Sequence, residues 1–229
     1  MSKKLIGILF IMILWFSFGI AWAASQLEIK APCGGEADLL QNVMKYSGTD
    51  SQLVEVHWED SVFQNGEKEQ AKTGQKPALP RVLKSVHLTV NLNQNYIVAN
   101  KKVAVYYDES TSATCDFLEW DRKAALMKLS GRVTIIYKDW TIKGSRVEGQ
   151  LDKELFTVYG PVEAFNQSDI VRGGKLVFDR GNQKAIISDN ALLVRGKNEM
   201  AAPEITYFFD TNEVLASGAV RTRIINETK

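Results

Sequence analysis

Leu126-Met127-Lys128-Leu129-Ser130-Gly131-Arg132-Val133-Thr134-Ile135 alternates apolar and polar residues around a central glycine. Side chains alternate across a strand, so residues two apart share a face. Met127, Leu129, Val133 and Ile135 fall on one face, and Lys128, Ser130, Arg132 and Thr134 on the other. Strict period two over such a length marks a strand with one buried face.

The pattern returns at Gly160, Asn190 and Gly218, so the four anchors stand 29, 30 and 28 residues apart. A period of that size points to a repeat architecture. The same offsets give Phe156, Val158, Val162 and Ala164 in the second copy. They give Ile186, Ser188, Leu192 and Val194 in the third, then Val214, Ala216, Val220 and Thr222 in the fourth. Only Ser188 and Thr222 are polar in the whole set. A glycine at mid-strand weakens the strand, so it marks a bend, a bulge or a close backbone approach. Asn190 tolerates the same unusual angles better than most residues. A bend at one level in every copy curves the sheet around an apolar trough. The expected fold class is all-β, with stacked antiparallel strands in a folded-over sheet. The face favours small and branched residues, with few large plugs beyond Phe156.

Outward from the repeats, Val98–Asp108 reads as a degenerate earlier rung and Val86–Leu92 as a strand. Asn166–Asp169 and Val171-Arg172-Gly173-Gly174 read as turns. Gln64–Pro80 reads as a loop, punctuated by Gly66, Gly74, Pro77 and Pro80. Leu27–Lys30 is an opening strand and Leu53–Trp58 another, while Glu36–Tyr46 suits a short helix. The expected division is a β domain over 81–229 behind a less regular segment over 24–80.

Residues 1–23 read as a secretory signal peptide. Lys3 and Lys4 precede an apolar run over 5–24, and Ala21-Trp22-Ala23 offers small residues for cleavage after Ala23. An uncleaved inner-membrane anchor is the alternative, because the run just reaches spanning length. Either way the bulk of the chain is expected to be exported. Cys33 and Cys115 suit one disulfide in an exported protein, and two free thiols remain open.

Catalysis has little support. His57 and His87 sit at alternating strand positions, without metal-ligand spacing. No nucleophile elbow and no nucleotide motif occurs. Neither an enzyme nor a cofactor is expected. Asp121, Asp152, Asp179 and Asp210 fall where hairpins turn, and Asp caps its own backbone there. A formal net charge of +1 gives no case for nucleic acid.

Leu126 to Ile135 resembles the "L-x-G-N-V-x-I" strand of the OstA/LptA family, and Thr141-Ile142-Lys143-Gly144-Ser145-Arg146-Val147 is similar to its "I-x-G-D-x-hydrophobic" strand. The likeness covers Val86 to Arg223 well, Leu27 to Lys30 faintly and Pro32 to Pro80 not at all, and it departs at Arg132, Pro161 and Ala219, where the family has Asn. It implies a β-taco, or OstA-like β-jellyroll, that holds the acyl chains of lipopolysaccharide or a related glycolipid. Implied partners are other OstA-like proteins, paired through sheet edges, and an inner-membrane ABC transporter complex. The lipid would lie against Met127, Leu129, Val133, Ile135, Phe156, Val158, Val162, Ala164, Ile186, Leu192, Val194, Val214, Ala216 and Val220. Two alternatives stand beside this carrier. One is a membrane-anchored LptC-like component. The other is a ligand-free exported structural β-repeat, since open strand edges also build filaments.

Overall fold

The computed structural model describes residues 27–58 and 81–225. The leader, its cleavage or anchoring, and the loop expected over 64–80 lie outside the described residues.

The described chain forms 16 strands and one 3-10 turn at Leu151–Lys153. The strands are β1 (Leu27–Lys30), β2 (Gly35–Asp38), β3 (Val43–Ser47), β4 (Val54–Trp58), β5 (Arg81–Ser85), β6 (His87–Asn91), β7 (Tyr96–Asp108) and β8 (Thr111–Asp121). Then come β9 (Leu126–Tyr137), β10 (Trp140–Gln150), β11 (Leu155–Phe165), β12 (Asp169–Asp179), β13 (Lys184–Arg195), β14 (Asn198–Phe208), β15 (Val214–Ser217) and β16 (Arg221–Arg223). All belong to one antiparallel sheet. The fold class is all-β, as the period-two patterns dictate.

β7 to β14 are unbroken, and each bends in its middle. The short strands extend this series as broken rungs. β5 pairs the second half of β7 and β6 the first half. β4 and β3 add the next rung, and β1 and β2 the last. At the other end β15 and β16 pair the two halves of β14. Folding every rung at its middle gives two walls that face each other. One runs through β1, β4, β5 and β16, the other through β2, β3, β6 and β15. They share a crease and part at a mouth on the opposite side.

The crease is a stack of bulges. At each, two residues of an odd-numbered long strand oppose one residue of the neighbour: Lys101-Lys102 opposite Asp116, Gly131-Arg132 opposite Ser145, Gly160-Pro161 opposite Gly174, and Asp189-Asn190 opposite Pro203. A bulge bends its strand and strengthens its twist. Lys101, Lys102, Gly131, Arg132, Gly160, Asp189 and Asn190 all have positive φ. The bulges begin at 101, 131, 160 and 189, which regularises the period read from sequence.

Gly160 is needed both for its φ of +95° and for space, since an added Cβ would lie 2.3 Å from Ser145 Oγ. That hydroxyl donates to the Tyr159 carbonyl at 2.9 Å. Gly160→Ala combines strain with loss of this bond, about 2 kcal/mol together, or a fall of roughly 4–8 °C in Tm. Gly196→Ala, also at positive φ but in open space, should cost about half as much in the same thermal melts.

Residues 36–46 are a hairpin, not the expected helix: β2 pairs β3 with Asp38 opposite Val43. Asp38 Oδ1 accepts from the amides of Leu40 and Gln41, at 3.0 and 3.1 Å. Asn42 closes the turn with φ +53°. This local bonding competes with helix, and β6 offers β3 an edge to pair. Leu39 and Leu40, on one side of the expected helix, stand 76% and 97% exposed at the tip. β4 pairs β5 along its whole length, from Val54 opposite Ser85 to Trp58 opposite Arg81. Val171 to Gly174, expected as a turn, lie inside β12 at the crease. Asn166 does make a turn, its Oδ1 accepting from the amides of Ser168 and Asp169.

Candidate functional site: an apolar trough and its mouth

The trough is built by residues that point inward from both walls. Met127, Leu129, Val133, Ile135, Val158, Val162 and Ala164 are buried there. Phe156, Val214 and Ala216 are partly buried and pack against the same core. The third copy departs from expectation. Ala185, Ile187, Ala191 and Leu193 are the buried residues of β13. Ile186, Leu192 and Val194 occupy the alternate, outward positions. The bulge begins at Asp189, so the true anchor is one residue before Asn190. A one-residue slip exchanges the two faces. Val220 is exposed, in the break between β15 and β16 on the terminal rung, and no described strand stacks beyond that rung.

The expectation of few large plugs is also corrected. Trp58, Trp120, Tyr137, Trp140, Phe178 and Tyr207 are all buried inside. They meet across the mouth. Trp58 and Trp120 lie 4.8 Å apart between ring centroids, Tyr137 and Phe178 4.7 Å, and Trp140 and Tyr207 4.7 Å. Phe209 adds an edge to Tyr137 and Trp140 at 5.4 and 5.5 Å. Most of these plugs sit on even-numbered strands, where the inward phase changes at the crease. Cys115 and Leu118 of β8 are both inward, as are Ile142 and Val147 of β10. A period-two reading carried across either strand fails.

Polar straps reinforce the seal. Asp169 is 1% exposed. Its carboxylate accepts from Arg195 Nε at 2.8 Å, from Arg195 Nη2 at 2.7 Å and from the Tyr207 hydroxyl at 2.7 Å. Burial alone pushes this carboxyl up, but the Arg195 and Tyr207 bonds and the guanidinium charge outweigh it and hold its pKa below the usual range. Further along, Arg180 of the β6 wall joins Asp108 of the other wall and Glu154 of its own. Lys138 Nζ donates across the mouth to Gln183 Oε1 at 2.6 Å.

What space remains is small. A cavity of about 40 Å³ lies among Val105, Tyr107, Ala113, Met127, Leu151 and Phe156. Small-molecule sites run to roughly 300–1,000 Å³, so an acyl chain enters only if the walls part. The backbone hydrogen bonds run rung to rung, and the contacts across the mouth described above are made by side chains. Two buried donors, Trp58 Nε1 and Trp120 Nε1, have no acceptor. Each such group costs about 1–3 kcal/mol.

Cys33 and Cys115 do not pair and are free thiols. Cys115 lies at the crease of β8 and Cys33 beside β1, four rungs away in the sheet order. Rungs stand about 4.8 Å apart, whereas a disulfide needs Cα atoms within about 7 Å. Burial pushes the Cys115 thiol up to about 12, far from a reactive thiolate. Asp121 and Asp179 cap their turns through the amides of Ala124 and Asn182, at 2.9 and 3.0 Å. Among the described residues no cluster of His, Cys, Asp or Glu is arranged to hold a metal ion. No described helix is long and apolar enough to cross a membrane.

Fold and interior together define a folded-over β-sheet protein with a side-chain-sealed apolar trough. No protein-family model matches the chain, and no curated protein matches it in sequence. Among solved structures it is similar to LptH of Pseudomonas aeruginosa, the LptA-homologous periplasmic component of a lipopolysaccharide transport device. That similarity is 18% identity and a TM-score of 0.47, over 51% of this chain and 95% of the other.

Proposed function

We propose that this protein is an exported carrier of an amphipathic glycolipid of the lipopolysaccharide class, passing it between similar folds towards the outer membrane. One observation carries the reading: an apolar interior continuous along the rungs, closed at the mouth, among the described residues, by contacts that side chains make. Such walls can part without breaking a backbone ladder. Burying an acyl chain of about a dozen methylenes contributes on the order of 10 kcal/mol. That is enough to offset separating the aromatic pairs, each worth roughly 0.5–1.5 kcal/mol beyond its buried area. Among the described residues no strand pairs the outer edges of β1 and β2 at one end, or of β15 and β16 at the other, so each could take a strand from a neighbour. Abutting troughs would spare the lipid a passage through water. An inner-membrane ABC transporter complex would supply the energy. Anchoring by residues 1–23 would make the chain the membrane-held component of the same route.

The small cavity favours a second reading, a ligand-free structural module. A photo-crosslinking residue at Val162 or Leu193, both inward, separates the two in living cells. The carrier reading expects lipid adducts at both positions and none at outward Leu192. Bare protein at Val162 and Leu193, beside clean capture by a known carrier in the same cells, would leave the structural module.

A further inference from the structure

The seal along the mouth is uneven. Trp58 and Trp120 close it toward the amino-terminal rungs. Tyr137, Trp140, Phe178 and Tyr207 close it toward the carboxy-terminal rungs. Between these seals, β7 and β8 of one wall face β9 to β11 of the other, and no aromatic pair described above spans the interval. The 40 Å³ cavity lies there, and Ala113 is among its small lining residues. Ions close this stretch instead. Arg180 reaches over the Tyr107 ring, 4.9 Å from its centroid, to Asp108 and Glu154. The guanidinium Nε of Arg180 is buried with no acceptor. Beside it opens a polar cleft of about 280 Å³, lined by Ser110, Lys138, Glu154, Arg180 and Gln183. An apolar cavity and a polar cleft thus adjoin, with Tyr107 lining the first and carrying the cation that lines the second.

We infer that this interval is a side port for one acyl chain of a phosphorylated amphipath, whose anionic head rests in the cleft on Lys138 and Arg180. The inference rests on the carrier reading above. Aromatic seals are held by burial that water cannot replace. Partly exposed ion pairs add little net stability, because water or another anion can take over either partner. A phosphate matches a guanidinium in two-point geometry, and it would reach the Nε–H that the two carboxylates leave unbonded. The head would therefore open the strap as it binds, and the chain would follow into the cavity beneath. Lys138 and Arg180 stand there against Glu154 and Asp108, so an anionic head binds by displacing a carboxylate from Arg180 while Lys138 adds a second cation.

The test uses the whole protein with dodecyl phosphate and, as its neutral counterpart, a dodecyl glucoside. Ala113→Phe fills the cavity and should weaken both by about tenfold or more. Arg180→Gln removes charge-assisted bonds to the head and should weaken dodecyl phosphate about tenfold, with the glucoside changed far less. A photoreactive residue at Leu151, on the port's rim, should capture dodecyl phosphate, and it decides the matter if Ala113→Phe fails to melt cooperatively. Wild-type affinity in a folded Ala113→Phe variant overturns the port, as does equal loss of both ligands in Arg180→Gln. Capture at Val162 without capture at Leu151 overturns the port and leaves the carrier standing. Binding of neither amphipath by the wild-type protein overturns both.

Discussion

Leu193→Asp will abolish the cooperative melt, while Leu192→Asp, one residue away, will lower Tm by only a few degrees. Leu193 is buried in the trough between β12 and β14, where a carboxylate finds no partner. Burying an unpaired charge costs several kcal/mol, against a total stability of about 5–15 kcal/mol for a domain. Leu192 faces outward on the same strand and loses only part of its packing, about 1 kcal/mol. Circular dichroism melts of the two variants make the comparison. Equal melts would mean that the face of β13 is assigned wrongly.

That pair also marks how far the fold could be read from residues alone. The odd-numbered strands were legible because their two-residue bulge keeps the inward phase, so Leu129 and Val133 share a face across Gly131. The even-numbered strands were not, since they pass the crease in a single residue and change phase there. Trp120, Trp140, Phe178 and Tyr207 are therefore not placed on the inner face by that pattern, although they form most of the seal. In β13 the bulge is Asp189-Asn190, with no glycine to mark its start, and Asn190 was the more obvious signal. Glu36–Tyr46 looked helical because Leu39, Leu40, Val43 and Met44 are spaced as a helix face. Nothing local announces that β6 lies waiting to pair with Val43 to Ser47. The rim cluster of Asp108, Glu154 and Arg180 was invisible for a different reason. Its members are up to 72 residues apart and meet only once the walls close.

Asp169→Ala should cost about 3 kcal/mol, near the low end for breaking a buried pair. The low end applies because the partners have other company. Tyr207 keeps a bond to Asn212 Oδ1 at 3.0 Å, and the Arg195 side chain is 46% exposed to water. The pH dependence has a definite sign. The Asp169 carboxyl is held below its unfolded value, so its contribution is fully present above the unfolded pKa near 3.9. It is lost as pH falls through the lower folded pKa. Urea melts of the wild-type protein should therefore lose stability below about pH 4, more steeply than those of Asp169→Asn. Identical acid limbs in the two proteins would show that the carboxylate is not a strap.

The rings that close the mouth join rungs three or four places apart, not neighbours. Trp58 waits for Trp120, Tyr137 for Phe178, and Trp140 for Tyr207. A chain emerging from its amino terminus can extend the ladder hairpin by hairpin, but each new rung stays uncovered until some 40–70 further residues have followed. During that delay a greasy furrow faces water, and unsealed apolar surface of this kind is what makes partly made proteins clump. Slow or interrupted synthesis should therefore harm this protein more than its finished stability would suggest, and a holding factor that grips the furrow would matter most while the last rungs are still missing.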